Sequence, residues 1–368
     1  MNFEVTATAG DARTGRLTTP RGVLETPAFM PVGTRASVRT ISAEDLENLG
    51  AQIILGNTYH LMLRPGDELV RDLGGLHKFQ DWTGLILTDS GGYQIFSLEP
   101  KVTDKGAIFK STYDGSMHEL TPETAVDVQL NLGSDIQMVL DICPALPATP
   151  GQLRNAVDTT AAWAARARAH FLEQPQVADG MRAQFGIVQG GLDVALRQES
   201  AQRTIDIGFE GYAVGGLSVG EERSLMLEPM AACTAILPVD QPRYLMGVGD
   251  PLSLIEGVSV GIDMFDCVLA TRLARHGTAL TSVGRLNLRN RPFARDERPV
   301  DPGFPGSPIS RFSRAYIRHL LVVQEPTAAR LLTLHNIAWT FDLMNRARTA
   351  IRNDTLDVLL AEVASVWG

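Results

Sequence analysis

The sequence predicts an α/β protein in which eight parallel strands and eight helices close into a (β/α)8 barrel. Short apolar runs that end in Gly or a polar residue recur along the chain, and amphipathic helical stretches separate them. Buried apolar strands that alternate with helices indicate a parallel sheet, and seven or eight such units favour a closed barrel over an open sheet. The first strand is not followed by GxGxxG, which argues against a dinucleotide-binding fold.

The elements are predicted in order along the chain. Residues 1–25 form a short β prelude, and residues 313–368 are helical. The barrel strands lie in the apolar runs QIILGNTY (52–59), LILTDSGG (85–92), IQMVLDIC (136–143), FGIVQGG (185–191), YAVGGLSVG (212–220), YLMGVGD (244–250) and IDMFDCV (262–268). Helix starts are indicated by Ser42, Thr121-Pro122 and Asp250-Pro251, which each supply a capping side chain.

The domain organisation is predicted to be one barrel domain over residues 1–368. Residues 284–312 are rich in Arg, Pro and Gly and interrupt the strand–helix alternation, which indicates an insertion within the barrel. The three cysteines, Cys143, Cys233 and Cys267, are too sparse for a disulfide framework or a CxxC metal half-site. With neither a signal peptide nor a membrane-spanning apolar run, we expect a cytoplasmic protein without membrane contact.

The charge of the chain is unevenly distributed. Between Ala270 and Leu320 ten arginines face three carboxylates, so that segment carries +7 while the whole chain carries −9. The planar guanidinium suits phosphate, and this segment therefore predicts a basic patch for nucleic acid.

Polar side chains stand where the predicted strands end, and active sites of such barrels lie at that edge. These residues are Asn57, Asp89, Asp141, Gln189, Met246 and the pair Asp263/Asp266. Carboxylates from several strands predict nucleophilic or proton-transfer chemistry at a sugar C1. A strand places residues three apart on opposite faces, so only one of the pair faces the mouth, and Asp266 is the better candidate nucleophile.

Glycines follow four of the strands, as Gly91-Gly92, Gly190-Gly191, Gly215-Gly216 and Gly247/Gly249. Glycine lets a flat ligand approach the backbone, where main-chain amides read its edge. The set indicates a flat ligand such as a purine, although tight turns between strand and helix are the alternative explanation.

Six blocks of this sequence resemble the signatures of the bacterial-type tRNA-guanine transglycosylases. They are LGNTYHLMLRPG, TDSGGYQIFSL, GIVQGG, AVGGLSVGE, LMGVGDP and GIDMFDCVLATR, and the resemblance extends from about residue 5 to about residue 350. It implies a barrel enzyme of queuosine biosynthesis that exchanges the wobble guanine of GUN-anticodon tRNAs for a 7-deazaguanine. It also implies a double displacement through a covalent ribosyl-aspartate.

The resemblance implies roles for individual residues. Asp266 is the nucleophile, and Asp89, oriented by Asn57, is the general acid and base. The substrate-binding residues are Ser90, Gly91, Gly92, Tyr93, Asp141, Cys143, Gln189, Gly216, Leu217 and Met246. The RNA-binding residues are Gly247, Val248, Gly249, Asp250, Thr271, Arg272 and Arg275.

The substrate prediction rests on Cys143 and Val219, which match the bacterial type and favour a small 7-substituent such as that of 7-aminomethyl-7-deazaguanine. Queuine enzymes of the eukaryotic type have a smaller Gly at the position of Val219. Since Val and Gly differ by only a few methyl-sized units of volume, queuine stays open as the substrate. The competing functions are base exchange on DNA or another RNA, a barrel glycoside hydrolase, and an inactive tRNA-binding partner subunit.

The chain departs from the family at its structural zinc site. The three zinc cysteines align with Phe304, Gly306 and Ile309, and only the histidine remains, as His335. One His cannot hold structural zinc, which takes four ligands, so we predict no metal and no cofactor. The family also suggests a homodimer, for which Phe79, Phe312, Tyr316 and His319 are the candidate interface residues.

Overall fold

The structure, a computed structural model, describes residues 1–178 and 180–368. Within those residues the strands are β1 (Asn2–Ala9), β2 (Ala12–Thr19), β3 (Gly22–Thr26), β4 (Ala28–Pro31), β5 (Ile53–Gly56), β6 (Leu85–Thr88), β7 (Lys101–Val102), β8 (Ala107–Lys110), β9 (Met117–Leu120), β10 (Ile136–Met138), β11 (Ala183–Val188), β12 (Gly211–Val214), β13 (Arg243–Leu245), β14 (Met264–Cys267), β15 (Thr278–Thr281) and β16 (Gly284–Asn287).

Helices separate and surround these strands. They are α1 (Ala43–Asn48), α2 (Thr58–Leu63), α3 (Asp67–Asp72), α4 (Gly75–Gln80), α5 (Gly92–Phe96), α6 (Pro122–Leu132), α7 (Pro150–Glu173), α8 (Val194–Ile207), α9 (Leu227–Thr234), α10 (Pro251–Ser259), α11 (Leu269–Arg275), α12 (Arg314–Val322), α13 (Thr327–Arg352) and α14 (Leu356–Trp367). Three short 3-10 turns lie at Pro175–Val177, Arg223–Leu225 and Arg291–Arg295 of the described chain.

Eight parallel strands form the central sheet, in the order β4-β14-β13-β12-β11-β10-β6-β5. The two edges meet through a parallel bridge between Val32 and Leu55, where the Gly33 N–H donates to the Leu55 carbonyl at 2.7 Å. The strands therefore follow one another around a closed barrel in chain order, and the predicted (β/α)8 fold is confirmed. Closure also brings all carboxyl ends of the strands to one mouth.

The barrel strands are buried because side chains fill the interior and helices cover the outside. Residues of β5, β6, β11 and β12 are buried at every position. The main apolar cluster joins the barrel interior to β1–β3 and to α13, and a second cluster lies under α1–α4, α12 and β15–β16. Such two-sided burial explains why the strands read as continuous apolar runs rather than as alternating patterns.

Seven barrel strands lie within the seven predicted apolar runs or overlap them, and the β prelude is confirmed as β1–β3. The eighth strand, β4, was not predicted. It is only four residues long, it ends in Pro31, and it follows β3 after a single residue, so no turn signal separates it from the prelude. The predicted caps are confirmed, since Ser42, Thr121 and Asp250 each accept a backbone N–H at the start of their helices.

The segment 284–312 begins inside a hairpin rather than at a boundary. Strands β15 and β16 pair antiparallel over 278–287, so the predicted start at 284 divides the hairpin. Turns and one 3-10 turn then continue to Ser313, where α12 begins. The division into one barrel with an insertion stays a prediction. In the part of the chain that the structure describes, no helix is long and apolar enough to cross a membrane.

Candidate active site

The carboxyl ends of the barrel strands bring the predicted polar residues together at one mouth. Asp89 follows β6 directly, Asp141 lies just beyond β10, Gln189 follows β11, and Asp266 is the third residue of β14. Because β14 and β6 lie on either side of β4 and β5, the two predicted catalytic carboxylates face each other across part of the mouth. The Asp89 charge contributes to the raised pKa of Asp266, which places the two groups within electrostatic range.

One oxygen of Asp266 is held by neutral donors. The Tyr244 hydroxyl donates to Oδ1 at 2.5 Å, and the Gly247 N–H donates to the same atom at 2.7 Å. Among the residues described, no donor contacts Oδ2, and no cation pairs with the carboxylate. Burial raises the pKa of Asp266, and the Tyr244 and Gly247 hydrogen bonds oppose that rise. The site thus orients a carboxylate without neutralising it, as a nucleophile requires.

Asp89 is held by donors on both oxygens. The Thr58 N–H donates to Oδ1 at 2.7 Å, while Asn57 Nδ2 and Gln94 Nε2 donate to Oδ2 at 2.6 and 3.0 Å. Burial nevertheless raises the pKa of Asp89 above its ordinary value. A carboxyl whose pKa is raised exchanges protons nearer neutral pH, which suits a general acid and base.

Asp141 and Gln189 form a buried pair beside Asp89. Gln189 Nε2 donates to Asp141 Oδ2 at 2.6 Å, and the Ser90 hydroxyl lies 3.5 Å from Oδ1. Burial raises the pKa of Asp141 to about 6. The Gln189 Oε1 atom is buried and accepts no hydrogen bond from the described chain. Gln189 Oε1 is therefore an unpaired acceptor, and each Asp141 oxygen can accept a further bond, which suits the N–H groups on the edge of a guanine-like base.

Glycine is required at two positions around this pair. A Cβ on Gly92 would lie 2.9 Å from the Asp141 carbonyl oxygen, and one on Gly216 would lie 2.2 Å from Gln189 Oε1. Gly216 also has φ +63°, which other residues rarely adopt. The neighbouring Gly91, at φ +82°, starts α5. The glycines thus let two loops pack directly against the Asp141–Gln189 pair.

A buried arginine orders the loops that carry those glycines. Arg197, on α8, is fully buried and donates to the carbonyls of Gly191, Gly215 and Gly216 at 2.8, 2.6 and 3.1 Å. In a trans peptide the N–H points away from the carbonyl, so these contacts turn the N–H groups of Gly216 and Leu217 away from Arg197. The N–H of Gly216 points to the sulfur of Cys143, a thiol whose pKa burial raises to about 12.

The remaining predicted base contacts differ in exposure. Tyr93 is 61% exposed at the start of α5, and Met246 is partly buried at the end of β13, with its sulfur within 3.5 Å of a Cβ placed on Gly215. Leu217 is buried, so only its backbone is available to a ligand. Tyr93 alone of these presents a large apolar surface at the mouth.

The predicted RNA-binding residues fall into two groups. Gly247 and Arg272 are exposed and Arg275 is partly exposed. The other residues are occupied or covered: Val248 and Thr271 have buried side chains, Gly249 is buried, and Asp250 caps α10. Exposed side chains for RNA are thus limited to Arg272 and Arg275 in this set, and RNA binding by all seven residues stays a prediction.

Asp263 and Asp266 lie toward opposite ends of β14. Asp263 precedes β14 at the amino end of the barrel, where Arg13 donates to both of its oxygens at 3.0 and 2.6 Å. The Arg243 N–H adds a third bond at 2.7 Å, and Asp263 is fully buried. It is a structural ion-pair partner far from the mouth.

Three arginines of the basic segment 270–320 have partners within the protein. Arg298 and the buried Arg314 both pair with Asp296, and Arg289 donates to the Leu321 carbonyl. These contacts hold the segment together, while the Arg298 side chain is still 68% exposed. The basic patch for nucleic acid stays a prediction.

The residues at the lost zinc site do not fit a metal. His335 is fully buried, its Nε2–H donates to the Leu280 carbonyl at 2.8 Å, and its Nδ1 lies 2.8 Å from the Ser307 hydroxyl, from which it accepts. Phe304 packs edge-on against the ring at 5.9 Å, and Ile309 is buried nearby. Within the described residues no three His, Cys, Asp or Glu groups form a metal-binding cluster. Both ring nitrogens are thus committed to hydrogen bonds.

Three functional residues were missed by sequence reasoning. Tyr244 holds Asp266, Gln94 holds Asp89, and Arg197 orders the glycine loops. Tyr244 stands in the predicted strand YLMGVGD, where it reads as an apolar core residue, and Arg197 stands among polar residues of a helix. Gln94 had a local signal, because it lies in the TDSGGYQIFSL block five residues after Asp89.

Comparison with known proteins gives consistent matches over nearly the whole chain. Residues 8–368 match the family model described as queuine tRNA-ribosyltransferase. The queuine tRNA-ribosyltransferase of Desulforudis audaxviator is 54% identical over 345 residues, covering 93% of this chain and 91% of the relative. Those of Solidesulfovibrio magneticus and Thermoanaerobacter pseudethanolicus are 49% and 50% identical, covering 97% and 94% of this chain and 95% and 92% of the relatives.

Proposed function

The chain belongs to the queuine tRNA-ribosyltransferase family and is a pentosyltransferase, and from that premise we propose which reaction it performs and how. It replaces the wobble guanine of GUN-anticodon tRNAs with a 7-deazaguanine, in queuosine biosynthesis. The observation that carries the proposal is the arrangement of Asp266 and Asp89 on two sides of a mouth that also holds the Asp141–Gln189 pair. Because the proposed substrate is tRNA, we expect the protein to act in the cytoplasm.

In the first displacement, an oxygen of the ionised Asp266 carboxylate attacks C1′ of the wobble nucleotide. The C1′–N9 bond breaks, and its electron pair leaves with the base. Oδ1 is fixed by Tyr244 and Gly247, which leaves Oδ2 as the attacking atom. A covalent ribosyl-aspartate results, as in retaining chemistry at a sugar.

Asp89 supplies and recovers the proton. In its neutral form it gives the proton to the departing guanine, and in its ionised form it takes the N9 proton from the incoming base. That base then attacks C1′ and releases Asp266. Burial, which raises the pKa of Asp89, keeps a protonated fraction available near neutral pH. Asn57 and Thr58 hold the carboxyl in one orientation through both steps.

Base recognition is assigned to Asp141, Gln189 and the backbone of Gly216 and Leu217, with Tyr93 and Met246 over the ring. The ionised Asp141 accepts from the guanine N–H edge, and the unpaired Gln189 Oε1 awaits the same kind of donor. Val219 is partly buried in the segment that follows β12. Together with Cys143 it favours a small 7-substituent, so 7-aminomethyl-7-deazaguanine is the proposed incoming base.

The test is incorporation of labelled guanine into a tRNA with a GUN anticodon, by the parent and by Asp266→Asn. Incorporation by the parent alone supports base exchange and the nucleophile together. A folded parent that binds this tRNA without incorporation would contradict the proposal and favour the inactive partner subunit. Incorporation into DNA or an unrelated RNA instead would favour the alternative substrates.

We also propose that the protein folds and acts without structural zinc. Ser307, Phe304 and Ile309 occupy the space around His335, and hydrogen bonds replace ligand bonds there. Metal analysis of the purified protein should find well under one zinc per chain, and chelation should leave its melting temperature and exchange rate unchanged. One zinc per chain, or a lower melting temperature after chelation, would contradict this.

A homodimer is the proposed assembly. Phe79 and Tyr316 are 40% and 43% exposed, Phe312 stacks on Tyr316 at 5.6 Å, and His319 is exposed. Exposed aromatics of this kind are typical of subunit interfaces. Mass measurement in solution should give twice the chain mass, and Tyr316→Glu should shift the protein to monomer.

A further inference from the structure

Five arginines form an arc on one side of the barrel mouth. They lie on the segments that follow three neighbouring strands, β14, β4 and β5. The arc consists of Arg35, Arg39, Arg64, Arg272 and Arg275. Asp141, Gln189 and Gly216, which are proposed to bind the edge of the base, follow β10, β11 and β12 instead. The arc therefore lies on a part of the rim away from these three residues.

These arginines have no counterions of their own. Over residues 1–178 and 180–368, none of the five forms an ion pair with a carboxylate, whereas many other arginines do. They are also close enough to repel one another: after burial, the charges of Arg39 and Arg272 lower the pKa of Arg275. Like charges held together without carboxylates indicate an anionic partner.

Tyr113 organises one end of the arc. The guanidinium carbons of Arg35 and Arg64 lie 5.2 and 4.7 Å from the centre of its ring, within the range of a cation–π contact. The Tyr113 hydroxyl is hydrogen-bonded to His60 Nδ1 at 2.9 Å, which fixes the ring. Burial and the Arg35 charge lower the pKa of His60, so the imidazole is neutral and adds no competing charge. Two exposed guanidinium groups are thus held at one aromatic ring.

We propose that Arg35, Arg64 and Tyr113 form a phosphate-binding site for the RNA backbone next to the flipped wobble nucleotide. Arg64 lies in the LGNTYHLMLRPG block, whereas Arg35 and Tyr113 lie outside all six blocks, so only the fold brings the three together. The occupant is a nucleic-acid phosphate, because the planar guanidinium matches phosphate and because a base in this mouth keeps its flanking phosphates at the rim. His60 is two residues from Thr58, which holds Asp89, so the site is connected to the catalytic half of the mouth.

This inference rests on the proposed function, and it predicts how single neutral substitutions change RNA binding. Arg64→Gln and Arg35→Gln should each weaken binding of a GUN anticodon stem-loop by about five- to tenfold. Each should also reduce the slope of log affinity against log salt concentration by about the amount that one phosphate contact contributes. The KM for tRNA should rise by a similar factor. Tyr113→Leu should act in the same direction, because the guanidinium groups lose the ring that holds them, whereas Tyr113→Phe keeps the ring.

The control is Arg346→Gln, which removes one partly exposed arginine at the other end of the barrel. There Arg346 pairs with Glu362, and the nearby Arg348 donates to the Pro27 carbonyl before β4. The control should bind RNA and exchange guanine as the parent does, and melting temperatures establish that every variant is folded.

The outcomes separate this inference from the proposed function. If the parent exchanges guanine but Arg35→Gln and Arg64→Gln match Arg346→Gln in affinity and salt dependence, the phosphate site is wrong and the function stands. If the parent exchanges no guanine but the two variants still lose affinity and salt dependence, the phosphate site stands and the function is wrong.

Discussion

The two aspartates of the 263–267 segment have opposite surroundings. Asp263, at the closed amino end of the barrel, is fully buried and receives a two-pronged ion pair from Arg13 and an N–H from Arg243. Asp266, at the open carboxyl end, is partly buried and receives only the neutral donors Tyr244 and Gly247 on one oxygen. Burial raises the pKa of both carboxyls.

The difference is in the charge of the partner rather than in burial. A guanidinium neutralises Asp263 and fills its lone pairs, which makes the residue a stabilising contact without nucleophilic character. Hydroxyl and amide donors orient Asp266 but leave its charge, so one oxygen can attack. The same residue type three positions away is therefore structural at one end and reactive at the other.

The largest expected effect is the loss of activity in Asp266→Asn. An amide of the same shape keeps the fold but is not a nucleophile, so we expect guanine exchange to fall by about 10⁴-fold or more. Initial rates at saturating tRNA measure this, and urea unfolding should give a free energy of unfolding near that of the parent. A variant that keeps more than a tenth of the rate would place the nucleophile elsewhere.

The corresponding change at the closed end should affect stability. Asp263→Asn leaves the buried Arg13 without its counterion, which should reduce the free energy of unfolding by about 3–5 kcal/mol. Urea denaturation of the two Asn variants, measured side by side, tests the comparison directly. Equal stability of Asp263→Asn and the parent would mean that the ion pair contributes nothing to stability, and Asp263 would then not be a structural residue.

The third carboxylate of the mouth, Asp141, extends the comparison to the pH dependence of stability. The raised pKa of Asp141, about 6 instead of 3.8, means that its ionised form costs stability. That cost is absent below the unfolded pKa, grows as pH rises from there to about 6, and stays constant above it. Asp141→Asn should therefore be more stable than the parent by about 3 kcal/mol at pH 8, with the gain shrinking toward pH 4. It should lose guanine binding.

Unfolding curves at pH 8, 6 and 4 measure that trend. A gain that does not change with pH would show that the substitution acts through packing and not through the charge of Asp141. Unchanged guanine affinity would remove Asp141 from base recognition.

The smallest expected effect concerns the donor that holds Asp266. Tyr244→Phe removes one hydrogen bond that lowers the pKa of Asp266, so that pKa should rise further. Because the ionised form attacks, the acid side of the pH–rate profile should move to higher pH, and the rate at neutral pH should fall by about tenfold. If the rate falls by the same factor at every pH and the acid side of the profile does not move, Tyr244 does not control the pKa of Asp266.

The sequence predicted what depends on local pattern. Seven barrel strands, the helix caps and the strand-end positions of Asp89, Asp141 and Gln189 follow from apolar runs and capping residues. Partners across the sequence could not be predicted, because Tyr244, Arg197 and the Arg35–Tyr113–Arg64 contacts exist only once distant segments pack. For the same reason the arginine count of 270–320 did not reveal that Arg298 and Arg314 pair internally.

The central claim is that Asp266 attacks the ribose, and the direct measurement is to identify the covalent intermediate. The parent, incubated with a GUN anticodon stem-loop and no incoming base, is denatured, digested and examined by mass spectrometry. The account predicts a ribonucleotide adduct on the peptide that carries Asp266, and none in Asp266→Asn or on the peptide that carries Asp89. An adduct on another residue, or exchange that proceeds at the full rate without any adduct, would contradict it.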